Sequence, residues 1–255
     1  MNFRTAVYTD VGIRKKTNQD SALIETADTD EGRVSLAVVC DGMGGLAMGE
    51  VASAVLIRAF SDWFEKRFPF LLHEGFQAGR IQEEWEKLVF SVNEKIMDFG
   101  DTRHVRLGTT LVALLIARDY FYIMNVGDSR VYQIRNTLIQ LTRDQSFIQR
   151  EMDAGRMTYE EAMVHPQRNV LLQCVGASTV ILPEFLSGPC SQDSMFLICS
   201  DGFRHVLTTD ELYDHLNPDF LHTEEEMERQ LRILTELNKE RQEVDNITAV
   251  LVRTC

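Results

Sequence analysis

Residues 109–117 and 120–126 are apolar at most positions on both alternating faces, and only Arg118-Asp119 separates them. A strand apolar on both faces has to be covered from two sides. A two-residue link makes the pair an antiparallel hairpin, because a parallel crossover needs a dozen residues or more. Residues 36–40, 195–199 and 247–252 have the same apolar character. Buried strands joined mainly by hairpins, with amphipathic helices elsewhere, predict an α+β fold. The expected architecture is a four-layer α-β-β-α sandwich, with two mostly antiparallel sheets face to face and helices outside. No repeat, low-complexity stretch or Pro-rich linker divides the 255 residues, so one domain is expected over 1–255.

The remaining elements fit that frame. Residues 4–9 read as a first strand, and 21–25 and 33–40 as a hairpin turning at 28–32. Ala52, Val55, Leu56, Ala59, Phe60, Trp63 and Phe64 mark the buried face of a helix that ends before Pro69. Ile81, Trp85, Leu88, Val89, Val92 and Ile96 mark a second helix over 79–99. Strands follow at 131–134 and 180–186. Residues 145–173 are polar and helix-prone, with a capping box at Thr158 and Glu161, and read as an inserted helical flap. Thr208 with Glu211 and Thr223 with Glu226 open two further helices, the second burying Met227, Leu231 and Leu234.

The 39 acidic and 26 basic residues give a net charge of −13, which argues against nucleic-acid or anionic-membrane partners. Five scattered cysteines form no zinc or redox spacing, and Cys40 and Cys199 lie inside apolar runs as core residues. That pattern suits a reducing compartment, and no apolar run reaches membrane-spanning length, so a cytoplasmic protein is expected.

Four aspartates share one local grammar. Asp41 ends an apolar run and precedes Gly42; Asp128 follows such a run through Gly127; Asp201 ends a third and precedes Gly202; Asp245 with Asn246 opens the last. One such residue is ordinarily a cap at a strand end. If several of these ends meet, the carboxylates raise one another's pKa unless cations neutralise them. Oxygen donors without His or Cys clusters favour Mg²⁺ or Mn²⁺ over zinc. Two such ions can activate water and polarise a phosphoryl oxygen.

Asp41-Gly42-Met43-Gly44-Gly45, Gly127-Asp128-Ser129-Arg130, Ser200-Asp201-Gly202 and Asp245-Asn246-Ile247-Thr248 together resemble the ordered motifs of the metal-dependent serine/threonine protein phosphatases of type 2C. Asn18-Gln19-Asp20, Gly108-Thr109-Thr110 and the bacterial-type flap segment His165-Pro166-Gln167-Arg168-Asn169-Val170 extend the resemblance over nearly the whole chain. It implies that Asp41 bridges two ions, that the Gly42 carbonyl binds one, and that Asp201 and Asp245 hold the second. Asp20 would orient bound water, and Asp128 with Asp201 would form a third, weaker site. The reaction implied is direct attack of a metal-bridging hydroxide on phosphoserine or phosphothreonine of proteins. The partners implied are phosphorylated proteins and an opposing Ser/Thr kinase, with the enzyme a monomer.

Three positions depart from the pattern. The phosphate-binding arginine falls on Lys15, with Arg14 adjacent, and lysine lacks the bidentate fork. Gln19 stands where many members carry glutamate, and Met43 where eukaryotic members carry a histidine. Lys15 and Gln19 motivate the alternative of a catalytically weak relative that binds phosphoproteins as a regulatory module. A phosphatase for small phosphomonoesters is a second rival, separable by whether the flap matters. Cys199 and Arg204 lack the spacing of a cysteine-phosphatase loop, and Asp28-Thr29-Asp30 lies in a polar turn rather than after a buried strand.

Overall fold

The computed structural model describes residues 1–43, 48–74 and 76–255. The Gly44-Gly45 turn read from the sequence lies outside them. In chain order the elements are β1 (Phe3–Asp10), β2 (Ser21–Thr29), β3 (Gly32–Cys40), α1 (Gly49–Lys66), α2 (Phe68–His73) and α3 (Ala78–Arg103). β4 (Leu111–Ala117), β5 (Tyr120–Val126), β6 (Arg130–Ile134), β7 (Leu138–Gln140), α4 (Phe147–Asp153) and α5 (Tyr159–Met163) follow. The chain finishes with β8 (Glu184–Pro189), β9 (Met195–Cys199), α6 (Asp201–Arg204), α7 (Thr209–Leu216), α8 (Glu224–Glu240) and β10 (Ile247–Thr254).

Two five-stranded sheets form, in the orders β1-β10-β9-β6-β7 and β2-β3-β4-β5-β8, with every neighbouring pair antiparallel. The doubly apolar strands follow from the layering. On β4, Leu111, Ala113 and Leu115 face a core shared with α1 and α3, while Val112, Leu114 and Ile116 face the other sheet. On β10, Ile247, Ala249 and Leu251 face the layer of α7 and α8, and Val250 and Val252 complete the core between the sheets. Alternation is still present, but both of its phases are buried. The four-layer sandwich is therefore as expected. Arg118 and Asp119 both take positive φ, as a tight two-residue hairpin requires. All three capping boxes, at Thr158, Thr208 and Thr223, are formed, and Cys40 and Cys199 are fully buried. Among the described residues no helix is long and apolar enough to cross a membrane.

Some local expectations are corrected. Val55 is 38% exposed, so the buried stripe of α1 is narrower than its apolar spacing suggests. Pro69 opens the short helix α2 rather than merely following α1, because proline is tolerated in a first helical turn. Residues 180–183 are not strand: β8 begins at Glu184, and Val180 and Leu182 are exposed. The Gln173 side chain supplies what a neighbouring strand would, accepting from Leu182 N at 2.6 Å and donating to Leu182 O at 2.8 Å. The strand β7 and the helix α2 had no counterpart in the sequence reading.

Candidate active site

The five aspartates singled out by sequence converge at one end of the sandwich. Asp20 immediately precedes β2 and Asp41 immediately follows β3, and the pairing of Ser21 with Cys40 makes them neighbours. Asp128 lies where the chain leaves β5 for β6 in the opposite sheet. Asp201 opens α6 after β9, and Asp245 precedes β10, the strand paired with β9.

The backbone around Asp41 is fully engaged, which leaves its carboxylate for other work. Asp41 N donates to Thr110 Oγ1 at 2.9 Å, while its carbonyl accepts from Thr110 N at 2.9 Å and Thr109 Oγ1 at 3.0 Å. The Gly108-Thr109-Thr110 motif is thus a clamp on Asp41, and Thr110 and Ser129 hydroxyls at 2.7 Å extend it to the Asp128 turn. Two glycines permit the close approach. A Cβ on Gly42 would lie 2.4 Å from Gln19 O, and one on Gly202 would lie 2.1 Å from Asn246 O.

Asn246 organises the other side. Its Oδ1 accepts from Gln19 N, and its Nδ2 donates to Val11 O and Thr17 O, which pins residues 11–19 against β10. Lys15 is thereby brought to the cluster, with its Nζ 2.8 Å from Asp245 Oδ1. Arg14, by contrast, is exposed and has no ion pair among the described residues. Gln19 donates to Glu50 Oε2 at 3.0 Å, so a carboxylate on the first turn of α1 stands beside it.

The electrostatics of the cluster are those of crowded acids. Asp20 is 8% exposed; burial, reinforced by Asp201 and Asp245 and opposed by hydrogen bonds from Thr248 and Ser200, pushes it up to about 7. Burial and the charges of Asp20, Asp201, Asp128 and Asp245 push Asp41 well above the carboxylate range. Burial raises Asp201, with Arg204 opposing and Asp245 adding. Burial acts to lower Lys15, but its hydrogen bond and charge contact with Asp245, helped by Asp41 and Asp201, raise it overall. Asp20 Oδ1 and Asp201 Oδ1 are buried and have no hydrogen-bond partner among the described residues. Among the described residues no three His, Cys, Asp or Glu side chains are gathered tightly enough to hold an ion alone. An ion here would also draw on water and backbone carbonyls, as Mg²⁺ ordinarily does.

Several contributing residues had no sequence signal. Glu243 Oε1 accepts from Val244 N and Asp245 N, and its Oε2 lies 3.1 Å from His205 Nδ1, so it ties the Asp245 segment to the end of α6. Arg204 and Asp144 form a second charged group beside Asp128. A cavity of about 560 Å³ opens from Asp128 and Asp201 under the helices of residues 145–173, bounded there by Met152, Tyr159 and Arg168.

The sequence model of the family described as protein phosphatase 2C matches residues 13–241. The serine/threonine phosphatase stp of Listeria welshimeri is 33% identical over 212 residues, covering 82% of this chain and 81% of that protein. The structure of the S. agalactiae serine/threonine phosphatase superposes with a TM-score of 0.86 at 28% identity, over 100% of both chains. The catalytic domain of PstP, in complex with two manganese ions, gives 0.79 at 27% identity over 98% of this chain and 97% of that one.

Proposed function

The chain belongs to the protein phosphatase 2C family, and on that premise we propose that it hydrolyses phosphoserine and phosphothreonine on proteins, using two Mn²⁺ or Mg²⁺ ions. It acts as a cytoplasmic monomer opposing a Ser/Thr kinase, with residues 1–255 as one phosphatase domain and 145–173 as its flap. The five cysteines, all free, accord with a reducing compartment.

The surplus of buried carboxylate carries this reading. Among the described residues, Asp20, Asp41, Asp201 and Asp245 meet the ammonium of Lys15 and, at Asp201, the guanidinium of Arg204, and two of their fully buried oxygens have no donor. Hard, oxygen-only donors in that state fit divalent cations of the Mg²⁺ and Mn²⁺ type. Asp41, the Gly42 carbonyl, Asp201 and Asp245 would hold the two ions, and Asp20, gripped by Ser200 Oγ at 2.9 Å, would orient water. The bound ions would activate that water and neutralise charge developing on the phosphoryl group. Lys15, at the rim of the cluster, would meet the phosphate as a point charge, with Arg14 as its exposed neighbour. A module that binds without turnover is not favoured, since the relatives that the chain matches are named serine/threonine phosphatases.

Phosphate release from a phosphothreonine peptide, measured with Mn²⁺ and then with excess EDTA, tests the reading. Turnover that EDTA removes and Mn²⁺ restores is expected. Turnover indifferent to EDTA would overturn it. A protein substrate should also respond to Tyr159→Ala in the flap, whereas p-nitrophenyl phosphate should not.

Glu243 supplies a separate check on the positioning of Asp245. Glu243→Ala removes the acceptor of two backbone N–H groups and the partner of His205. Such supporting contacts are ordinarily worth about 10–100-fold in metal affinity. Calorimetric titration with Mn²⁺ should show a loss of that size in Glu243→Ala and a smaller one in Glu243→Gln, which keeps an acceptor oxygen. Equal affinities in all three proteins would remove Glu243 from the site.

A further inference from the structure

Arg204 is the one guanidinium on α6, three residues after Asp201, and its side chain is 13% exposed. Its Nη2 donates to the Asp128 carbonyl at 3.1 Å and to Asp144 Oδ2 at 3.2 Å, and lies 3.9 Å from Asp128 Oδ2. Asp144 in turn grips Arg130 through two hydrogen bonds of 2.7 Å, and Arg130 donates to the Tyr132 hydroxyl at 2.8 Å. Two carboxylates and two guanidinia therefore alternate through this corner, and their charges balance without an ion.

We infer that Arg204 takes the place of a third divalent cation at Asp128, so that this protein works with two ions and a resident guanidinium. The inference rests on the two-ion reading above and departs from the third, weaker site implied by the sequence resemblance. Asp128 is set apart by its geometry, with a buried guanidinium 3.9 Å from its Oδ2 and hydrogen-bonded to its own carbonyl, although burial and Asp201 still push its carboxyl up to about 7 against the pull of Arg204. A cation on the Asp128 carboxylate would stand within a few ångströms of a buried guanidinium that cannot lose its proton, and like charges so placed repel strongly away from bulk water.

Arg204 is held where it is. Moving its Nη2 away would leave the Asp128 carbonyl without its donor among the described residues and would cost Asp144 one hydrogen bond, the two from Arg130 remaining. The turn that carries Asp128 is latched from the flap side as well. Gly127 N donates to Gln145 Oε1 at 2.8 Å, and Gln145 N donates to Gly127 O at 2.8 Å. Arg204 thus joins the end of α6 to the root of the flap through Asp144, where an ion would join Asp128 to Asp201 alone.

The test is the number of Mn²⁺ ions bound, read by isothermal titration calorimetry and by equilibrium dialysis with metal analysis. The wild-type protein should bind two equivalents, and Asp128→Asn should still bind two. Arg204→Gln, checked for folding by circular dichroism, should gain a third and weaker equivalent, which the double variant Arg204→Gln/Asp128→Asn should lose. A wild-type protein that binds three, the third lost in Asp128→Asn, would overturn the inference. So would an Arg204→Gln variant that folds and stays at two. If that variant does not fold, the wild-type and Asp128→Asn pair decides alone. Fewer than two ions in the wild type would instead bring down the two-ion reading and this inference with it.

Discussion

Asp201→Asn is expected to lower turnover of a phosphothreonine peptide about a thousandfold and, at the same time, to make the metal-free protein more stable. The two effects share one cause. Asp201 is a buried carboxylate whose Oδ1 has no donor among the described residues and whose neighbours Asp41 and Asp245 are acids. Asparagine keeps its size and shape but removes the charge, so the metal-free cluster loses part of its mutual repulsion. The same change removes a hard anionic ligand. Charge stabilisation by a bound ion is worth several kcal/mol, and about 4 kcal/mol corresponds to a thousandfold at about 1.4 kcal/mol per tenfold. Asp41→Asn should behave alike, because four acids press on Asp41. Steady-state kinetics at saturating Mn²⁺ and thermal melts in EDTA provide the two readouts. Near-normal turnover in Asp201→Asn would sink the two-ion assignment. A variant that loses both turnover and stability would show Asp201 to be a packing residue instead. Sites built for function commonly carry this trade between activity and stability.

The layers were legible because both phases of β4 and β5 are apolar, and only a sandwich with helices outside buries both. Four of the aspartates were legible because each sits beside glycine or asparagine at the end of such a strand, and Asp20 only through the resemblance carried by Asn18-Gln19-Asp20. The partners of those acids were not. Arg204 meets Asp128 across 76 residues and Asp144 across 60, and His205 meets Glu243 across 38, distances over which local spacing carries no signal. The switch of sheets between β5 and β6 was hidden for a related reason. Residues 127–130 read as an interruption before the strand at 131–134, and only the pairing of β6 with β9 shows that the chain has crossed the sandwich. Apolar content misled where a side chain replaced a strand, as Gln173 does beside Leu182. Lys15 was read as a weak substitute for a phosphate-gripping arginine. Its contact with Asp245 shows that it is also an ammonium facing the acids.

The metal-free protein should melt at a lower temperature at pH 7.5 than at pH 5.5, and Mn²⁺ should reverse that difference. Asp20 is held at about 7 in the folded chain, against about 3.9 for an unperturbed aspartate. Between those values the folded state keeps a proton that the unfolded state has released. The stability that this proton contributes is therefore fully present below about 3.9, falls as pH rises through the interval, and is lost above about 7. Asp41, also raised by burial and by the neighbouring acids, pushes the same way. Carboxylates held low by arginines, such as Glu151 and Glu211 at about 2, have the opposite sign, but their window lies below the pH range compared. Bound ions replace the missing protons. At about 100 times the dissociation constant each site adds about 2.7 kcal/mol, which for a chain of this length is a rise of roughly 5–10 °C per site. The rise should be smaller at pH 5.5, where protons compete for the same oxygens. Asp20→Asn should flatten the metal-free slope without abolishing the rise with Mn²⁺, since Asp41, Asp201 and Asp245 remain. A metal-free melting temperature that is level or climbs from pH 5.5 to 7.5 would mean that the acids are already balanced within the protein, and the argument for cations at this end of the sandwich would fail with it.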